Sequence, residues 1–119
     1  MIYIIDDDQH VLRGFGMLLM SAGYEFKTYS NAGDFLKECT PSISDLLILD
    51  YHLPGMNGCE LLEYLKLRKI YVPTIIVTAF EDKHSRDCAK NYGAIAYLRK
   101  PVDGEALIDL IKYSSQTPD

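Results

Sequence analysis

Residues 46–58 read LLILDYHLPGMNG, and this stretch decides the fold. Four consecutive apolar residues predict a strand that is buried on both faces, as the strands of a parallel sheet are. The Pro and Gly residues that follow predict a turn, which leaves Asp50 at the exit of the strand. Ligands of parallel α/β sheets bind at the carboxyl ends of the strands, so Asp50 is a candidate functional residue.

Three other apolar runs also end in polar residues. If the runs are parallel neighbours, their polar ends converge with Asp50 on one site. Residues 2–5 lead into Asp6, Asp7 and Asp8, residues 75–77 lead into Thr78, and residues 96–98 lead into Arg99, Lys100 and Pro101.

Between these runs, apolar residues recur at helical spacing, as in Val11, Leu12, Phe15 and Leu19. Five alternations of strand and helix with short connections predict an α/β fold, a five-stranded parallel sheet that is doubly wound by five helices. The predicted elements include an edge strand at 24–29, helices at 31–39 (capped by Ser30), 59–69 and 82–92, a last strand at 95–98, and Asp8 as the cap of the first helix.

The composition suits one domain with one core, since the chain has 119 residues. A formal net charge of −5 at pH 7 argues against direct nucleic-acid binding by this segment, because such binding needs clustered Lys and Arg. No apolar stretch approaches the roughly 20 residues of a membrane span, and the N-terminus lacks the pattern of a secretory signal. We therefore predict a cytoplasmic domain with no membrane partner.

The three cysteines, Cys39, Cys59 and Cys88, are scattered and lack the close spacing of zinc or redox motifs. A reducing cytosol keeps such residues as free thiols. We expect them to be small buried apolar residues or surface thiols.

The predicted site would place the carboxylates of Asp6, Asp7 and Asp50 in one small space, where repulsion raises their pKa values unless a cation intervenes. Lys100 supplies one positive charge. The remaining negative charge is carried by hard oxygen donors and suits Mg²⁺, with Mn²⁺ as an alternative. Carboxylates, an ammonium group and the Thr78 hydroxyl together suit phosphoryl transfer, in which a protein positions groups and neutralises charge.

The order of these residues resembles the receiver domain of two-component response regulators, and the likeness covers essentially the whole chain. It implies a flavodoxin-like fold with strand order 2-1-3-4-5 and a cis peptide bond between Lys100 and Pro101. The residues that carry the likeness are Asp6-Asp7, Asp50, the turn at 53–58, Thr78 with Ala79, Tyr97 and Lys100-Pro101.

The resemblance implies a role for each polar residue in phosphorylation. Asp50 would be the nucleophile that accepts a phosphoryl group from a histidine kinase or phosphotransfer protein. Lys100 would pair with Asp50 and later with a phosphoryl oxygen, while the Thr78 hydroxyl would bind another. The domain would have no enzymatic activity beyond its own phosphorylation and dephosphorylation.

The resemblance also implies a metal shell around Asp50. Asp7 would bind the ion directly and Asp6 would act mostly through water. The main-chain carbonyl of His52 would complete the protein ligands. In this family the positions of His52 and Phe80 flank the path of the hydrolytic water, so we expect Phe80 to shield the acyl phosphate and His52 to modulate its hydrolysis.

The switch implied by the resemblance joins Thr78 to Tyr97. As Thr78 moves inward, Tyr97 would swing from an exposed to a buried position and alter the face made by the fourth helix, last strand and last helix. A phosphorylation-dependent homodimer would use this face. This face contains Lys83, Arg86, Lys90, Arg99 and Asp103.

The predicted domain spans residues 1–113, and residues 114–119 form a polar tail or the start of a linker. Residues 21–26 and 31–36 are similar to receivers that carry a C-terminal helix-turn-helix domain, so a transcriptional output that lies outside this chain is the expected one.

Two other functions stay open. A pseudo-receiver would act only as a protein-binding module, although such proteins usually lose one of the residues that are all present here. A phosphatase of the haloacid dehalogenase type would place its nucleophile at the end of the first strand, where Asp6 and Asp8 have the Asp-x-Asp spacing. Such a phosphatase would also need a second acidic pair after a late strand, and the sequence has none there.

Overall fold

The computed structural model describes residues 1–115, which form five strands and five helices in strict alternation. All neighbouring strands are parallel, and their order is β2-β1-β3-β4-β5. The elements are β1 Ile2–Ile5, α1 Gln9–Ser21, β2 Phe26–Tyr29, α2 Ala32–Glu38, β3 Leu46–Asp50, α3 Gly58–Leu67, β4 Thr74–Thr78, α4 Lys83–Asn91, β5 Ala96–Arg99 and α5 Gly104–Ser115. The predicted fold class and strand order are confirmed.

The sheet has a core on each face, because successive side chains of a strand point to opposite sides. On one face, Leu47 and Leu49 of β3 pack with residues of α2, α3 and α4 such as Phe35 and Leu61. On the other face, Ile48 packs with residues of α1 and α5, which include Leu19 and Leu107. Strands β3 and β4 are buried along their whole length, which explains their continuous apolar sequences.

Several predicted boundaries were wrong by one or two residues. The cap of α2 is Asn31 and not Ser30, because the Asn31 side chain accepts a hydrogen bond from the backbone N–H of Asp34 at 2.7 Å. Strand β2 begins at Phe26, and α3 ends at Leu67, shortly before Lys69 with a φ of 57°. Asp8 is the cap of α1, as predicted.

The predicted domain boundary at residue 113 falls inside α5, which continues to Ser115. Ser114 still belongs to the helix, and its hydroxyl donates to the carbonyl of Ile111 at 2.8 Å. The rest of the predicted tail, residues 116–119, lies outside the described residues.

The cysteines differ from the expectation of unpaired residues. Cys59 of α3 and Cys88 of α4 form a disulfide, with Cα atoms 5.8 Å apart, and Cys39 is free. The pairing was missed because it depends on the packing of α3 against α4 and not on spacing along the chain.

Within residues 1–115, no helix combines the length and the apolar character needed to cross a membrane.

Candidate functional site

The site lies at the carboxyl edge of the sheet, where the predicted polar residues meet. Asp6 follows β1 and Asp50 ends β3, and both are buried, whereas Asp7 is exposed. Each of the three offers a carboxylate oxygen, and these oxygens lie within 4.8 Å of one another. The convergence predicted from the parallel strands is therefore present.

Lys100 lies directly after β5 and contacts two of the three carboxylates. Its Nζ donates to Oδ2 of Asp6 at 2.7 Å and lies 3.4 Å from Oδ2 of Asp50. The expected pair with Asp50 is present, but the contact with Asp6 is shorter. The Lys100–Pro101 peptide bond is cis, as expected.

Asp6 has hydrogen bonds to both carboxylate oxygens. Oδ1 accepts from the backbone N–H of Asp8 at 2.9 Å, and Oδ2 accepts from Lys100. Oδ1 of Asp50 accepts a single hydrogen bond from residues 1–115, which comes from the backbone N–H of His52 at 3.2 Å. Asp50 therefore has more free acceptor capacity than Asp6, since its second oxygen has only the longer contact with Lys100.

The pKa values in the pocket depend on two buried carboxylates, Asp6 and Asp50, that lie beside one ammonium group, that of Lys100. Burial raises the pKa of the Asp6 carboxyl, and the charge of Asp50 adds to this, although the hydrogen bond from Lys100 acts in the opposite direction. Burial alone would lower the pKa of Lys100, but its hydrogen bond to Asp6 and the charge of Asp50 raise it above its ordinary value. Lys100 is therefore a firmly protonated cation.

The donor set suits a hard divalent cation. Three carboxylates offer oxygen ligands in one cluster, and one lysine leaves net negative charge among them. Mg²⁺ prefers such oxygen donors and binds through one or two carboxylates plus water. Asp7 and Asp50 fit as direct ligands, and the two hydrogen bonds to Asp6 suit a role through water.

The loop after Asp50 is held close to the site by Gly58. A Cβ atom at this position would lie 2.9 Å from the carbonyl oxygen of Asp50, closer than real Cβ contacts, and 3.0 Å from the Cα of Tyr51. The N–H of Gly58 donates to the carbonyl of Tyr51 at 2.9 Å. The sequence pattern placed Gly58 in a turn, but its close approach to Asp50 could be found only in three dimensions.

Thr78 is fully buried at the end of β4, and its hydroxyl is engaged by its own loop. Oγ1 donates to the carbonyl oxygen of Phe80 at 2.7 Å and accepts from the N–H of Phe80 at 3.2 Å. The phosphoryl-binding role predicted for Thr78 stays a prediction.

Tyr97 is half-buried in β5, and its hydroxyl lies 2.6 Å from Oγ of Ser85. Ser85 is fully buried in the first turn of α4, where Asp82 caps the helix and accepts from the Ser85 N–H at 2.7 Å. The predicted switch residue is thus joined to the start of α4. Sequence reasoning missed this bond, because it depends on the packing of α4 against β5.

His52 and Phe80 are both exposed beside the site. Their rings meet edge to face at 6.2 Å between centroids, and the His52 ring also contacts Tyr51 at 4.8 Å. This places the two side chains together, as their predicted common role requires. Their effect on hydrolysis, and the use of the His52 carbonyl as a metal ligand, stay predictions.

The fold and the site together define a class: flavodoxin-like α/β domains with an acidic pocket at the carboxyl edge of the sheet. Residues 2–112 match the model of the response regulator receiver domain, and the chain belongs to this family. It is thus a receiver domain of the kind found in two-component response regulators, as the resemblance implied.

Relatives and solved structures agree with this family. The chain is 32% identical over 111 residues to the DNA-binding transcriptional regulator NtrC of Escherichia coli K12, covering 93% of this chain and 24% of NtrC. It is 29% identical to the transcriptional regulatory protein FixJ of Rhizobium meliloti, covering 97% of this chain and 56% of FixJ. The response regulator StyR superposes with a TM-score of 0.88 at 37% identity, covering 97% of this chain and 58% of StyR.

The chain therefore spans about a quarter of NtrC and about half of FixJ.

Proposed function

We propose that this domain accepts a phosphoryl group on Asp50 from a histidine kinase or phosphotransfer protein, and that Mg²⁺, or Mn²⁺ in its place, binds in the acidic pocket. The main support is the position of Asp50, a buried carboxylate with one weakly engaged oxygen, beside Lys100 and two further carboxylates. Membership in the receiver-domain family further supports this chemistry.

The transfer would form one bond and break one. A carboxylate oxygen of Asp50 bonds to phosphorus as the P–N bond of a phosphohistidine breaks, and the freed imidazole nitrogen takes up a proton. Lys100 lies 3.4 Å from Asp50 and would neutralise charge on the phosphoryl oxygens. When bound, the divalent ion would add further positive charge at those oxygens.

The proposed ligands of the ion are the carboxylates of Asp7 and Asp50 and the main-chain carbonyl of His52. Asp6 would hold the ion through water while keeping Lys100 in place. Beyond its own phosphorylation and dephosphorylation, the domain would catalyse no reaction.

The phosphodonor would dock on an apolar groove that lies beside Lys100. The groove has a volume of about 570 Å³. Because Lys100 both lines the groove and contacts Asp50, a protein seated there could present its phosphohistidine to the acceptor. The groove is lined by Val11, Gly14, Phe15, Leu18, Lys100, Pro101, Val102 and Gly104.

The hydrogen bonds of Asp6 and Asp8 give less support to the hypothesis of a haloacid dehalogenase-type phosphatase. It needs Asp6 as a free nucleophile, but both oxygens of Asp6 accept hydrogen bonds. It also needs Asp8 near the reacting group, but the Asp8 side chain caps α1. The pseudo-receiver is the alternative that the experiment below decides.

The output would be control of transcription, since NtrC and FixJ carry that description and are longer than this chain. Phosphorylation would alter the face of α4, β5 and α5, and this face would mediate a homodimer. The segment itself, with its net charge of −5, would not bind nucleic acid. Unchanged sedimentation after addition of Mg²⁺ and beryllofluoride would count against the dimer. The exposed charged residues of the face include Lys83, Arg86, Lys90, Arg99 and Asp103.

The test is intact-mass spectrometry after incubation with Mg²⁺ and acetyl phosphate, with Asp50→Asn alongside. We expect a metal-dependent gain of one phosphoryl group that is absent in the variant and removed by hydroxylamine. No gain with acetyl phosphate or with a panel of kinases would favour the pseudo-receiver. A gain that persists in Asp50→Asn would mean that another residue is the acceptor.

A further inference from the structure

The disulfide between Cys59 and Cys88 joins two helices that begin near the phosphorylation site. Cys59 lies in the first turn of α3 and Cys88 lies in α4, with Cα atoms 5.8 Å apart, a spacing typical of disulfides. The pair contributes to neither the acidic pocket nor the predicted switch residues, so the proposed function leaves it without a role.

One end of this link is tied to the loop that follows Asp50. Cys59 comes directly after Gly58, which leaves no room for a Cβ beside the carbonyl oxygen of Asp50 and donates to the carbonyl of Tyr51 at 2.9 Å. A change at the backbone of Asp50 is therefore only a few bonds and one close contact away from Cys59.

The other end is tied to the switch residue. Ser85 lies one helical turn before Cys88, and both are buried on the same side of α4. Oγ of Ser85 lies 2.6 Å from the hydroxyl of Tyr97. A covalent bond at Cys88 therefore restrains the helix face that holds Tyr97.

The pair is accessible from one side. Cys88 is 3% exposed, whereas Cys59 is partly exposed and would react first with a redox partner. In thiol–disulfide exchange with a disulfide oxidant such as oxidised glutathione, the two thiols form the S–S bond and release two protons and two electrons, and the oxidant becomes two thiols. The reverse exchange with excess reduced thiol opens the bond.

We propose that Cys59 and Cys88 form a redox-sensitive modification site whose oxidation ties α4 to α3 and weakens the response of the domain to phosphorylation. The tied arrangement is the one seen here, in which the Thr78 hydroxyl donates to the carbonyl of Phe80 and Tyr97 bonds to Ser85. Opening the bond frees α4 to move when Asp50 is phosphorylated. This inference rests on the proposed function for its readout.

The experiment compares the whole chain in reduced and in oxidised glutathione. Peptide mapping identifies the Cys59–Cys88 link, hydrogen exchange reports on α4, and calorimetry gives the affinity for beryllofluoride in the presence of Mg²⁺. We expect oxidation to slow exchange in α4 and to weaken beryllofluoride binding by about fivefold, the lower end of ordinary coupling between sites.

Three variants separate the pair from the remaining cysteine. Cys59→Ser and Cys88→Ala should bind beryllofluoride equally in both redox states. Cys39→Ser should keep the difference, because Cys39 takes no part in the disulfide. Two cysteine variants are used so that a folding defect in one of them does not decide the result.

Equal affinity in both redox states, with the link formed, would overturn the inference, and so would failure of the link to form in oxidised glutathione. If neither state binds beryllofluoride or takes up a phosphoryl group, the proposed function fails instead. In that case hydrogen exchange in α4 still tests whether the Cys59–Cys88 disulfide restrains this helix. Identical hydrogen exchange in the reduced and the oxidised protein would overturn that restraint.

Discussion

The ammonium group of Lys100 lies closer to Asp6 than to Asp50, at 2.7 Å against 3.4 Å. Asp6 thus fixes the lysine, and Asp50 keeps an oxygen with only a longer ionic contact. Because an ionic contact at the longer distance is easier to exchange, the arrangement holds a cation beside the acceptor without blocking it. Fixing the cation before the reaction avoids a reorganisation cost during it.

Replacing Lys100 with Met should separate phosphorylation from metal binding. We expect Lys100→Met to slow phosphoryl uptake from acetyl phosphate by about a hundredfold, as for loss of one charge-stabilising donor. Its affinity for Mg²⁺ should rise, because the carboxylates lose their competing cation. Intact-mass kinetics and calorimetry measure the two effects, with Lys27→Met on the exposed edge strand as the control. An unchanged rate of uptake would contradict this role of Lys100.

The fold and the meeting of the polar residues could be predicted from the sequence, because both depend on local patterns. Apolar runs that alternate with helical spacing require a parallel sheet, and parallel strands bring Asp6, Asp50 and Thr78 to one edge. The cap at Asp8 depends on a short contact along the chain and was predicted for the same reason.

The features that were not predicted depend on distances between elements. The disulfide requires α3 to pack on α4, and the bond between Ser85 and Tyr97 requires α4 to cover β5. The preference of Lys100 for Asp6 depends on differences of less than 1 Å in the pocket. Patterns of residue type do not encode such distances.

Gly58 and Gly14 should respond in opposite ways to substitution with Ala. A Cβ at position 58 would meet the backbone of Asp50 at 2.9 Å, so Gly58→Ala should lower the free energy of unfolding by about 1–3 kcal/mol. Position 14 lies on α1 with nothing within 4 Å, so Gly14→Ala should raise it by about 0.5–1 kcal/mol. Urea unfolding measures both. A Gly58→Ala protein as stable as wild type would show that the loop can shift at no cost.

Reduction of the Cys59–Cys88 disulfide should lower the free energy of unfolding, whether or not Asp50 is phosphorylated. The bond closes a loop between residues 29 apart in sequence, and loop-closure entropy gives about 3.6 kcal/mol for a loop of this size. Urea unfolding with and without a reductant measures the difference, which Cys39→Ser should retain. The double variant Cys59→Ser/Cys88→Ser should show no effect of the reductant, and an effect there would place its cause outside this pair.

The cap of α4 should make stability depend on acid pH. The hydrogen bonds from Ser85, the backbone N–H foremost, hold the pKa of the Asp82 carboxyl below its ordinary value of 3.8. A depressed carboxyl pKa contributes stability that is present above the ordinary value and lost as the pH falls through the folded-state value. Asp82→Asn keeps a capping side chain but cannot titrate in this way.

The advantage of wild type over Asp82→Asn in the free energy of unfolding should therefore be constant above about pH 5 and should shrink as the pH falls from there to below the ordinary pKa of 3.8. Urea unfolding at several pH values measures it, and taking the difference between the two proteins cancels the other carboxyl groups. A difference that grows with acid would contradict the assignment.

Phe80 and His52 should govern the lifetime of the phosphorylated state. Phe80 is 70% exposed and its ring lies 6.2 Å from that of His52, so the two rings can limit the approach of water to Asp50. We expect Phe80→Glu to speed loss of the phosphoryl group by about threefold or more, since it replaces an apolar shield with a group that attracts water. A threefold change corresponds to only about 0.65 kcal/mol of the barrier, a size that loss of one exposed contact can produce.

His52→Ala should also change the rate, because it removes the ring that Phe80 contacts. Intact-mass measurements after removal of acetyl phosphate give the decay rates, with Ile43→Ala as the control, because Ile43 is exposed and precedes β3, whose other end carries Asp50. Decay rates equal to wild type in both variants would remove the shielding role and leave solvent access to Asp50 controlled by the backbone of the loops alone.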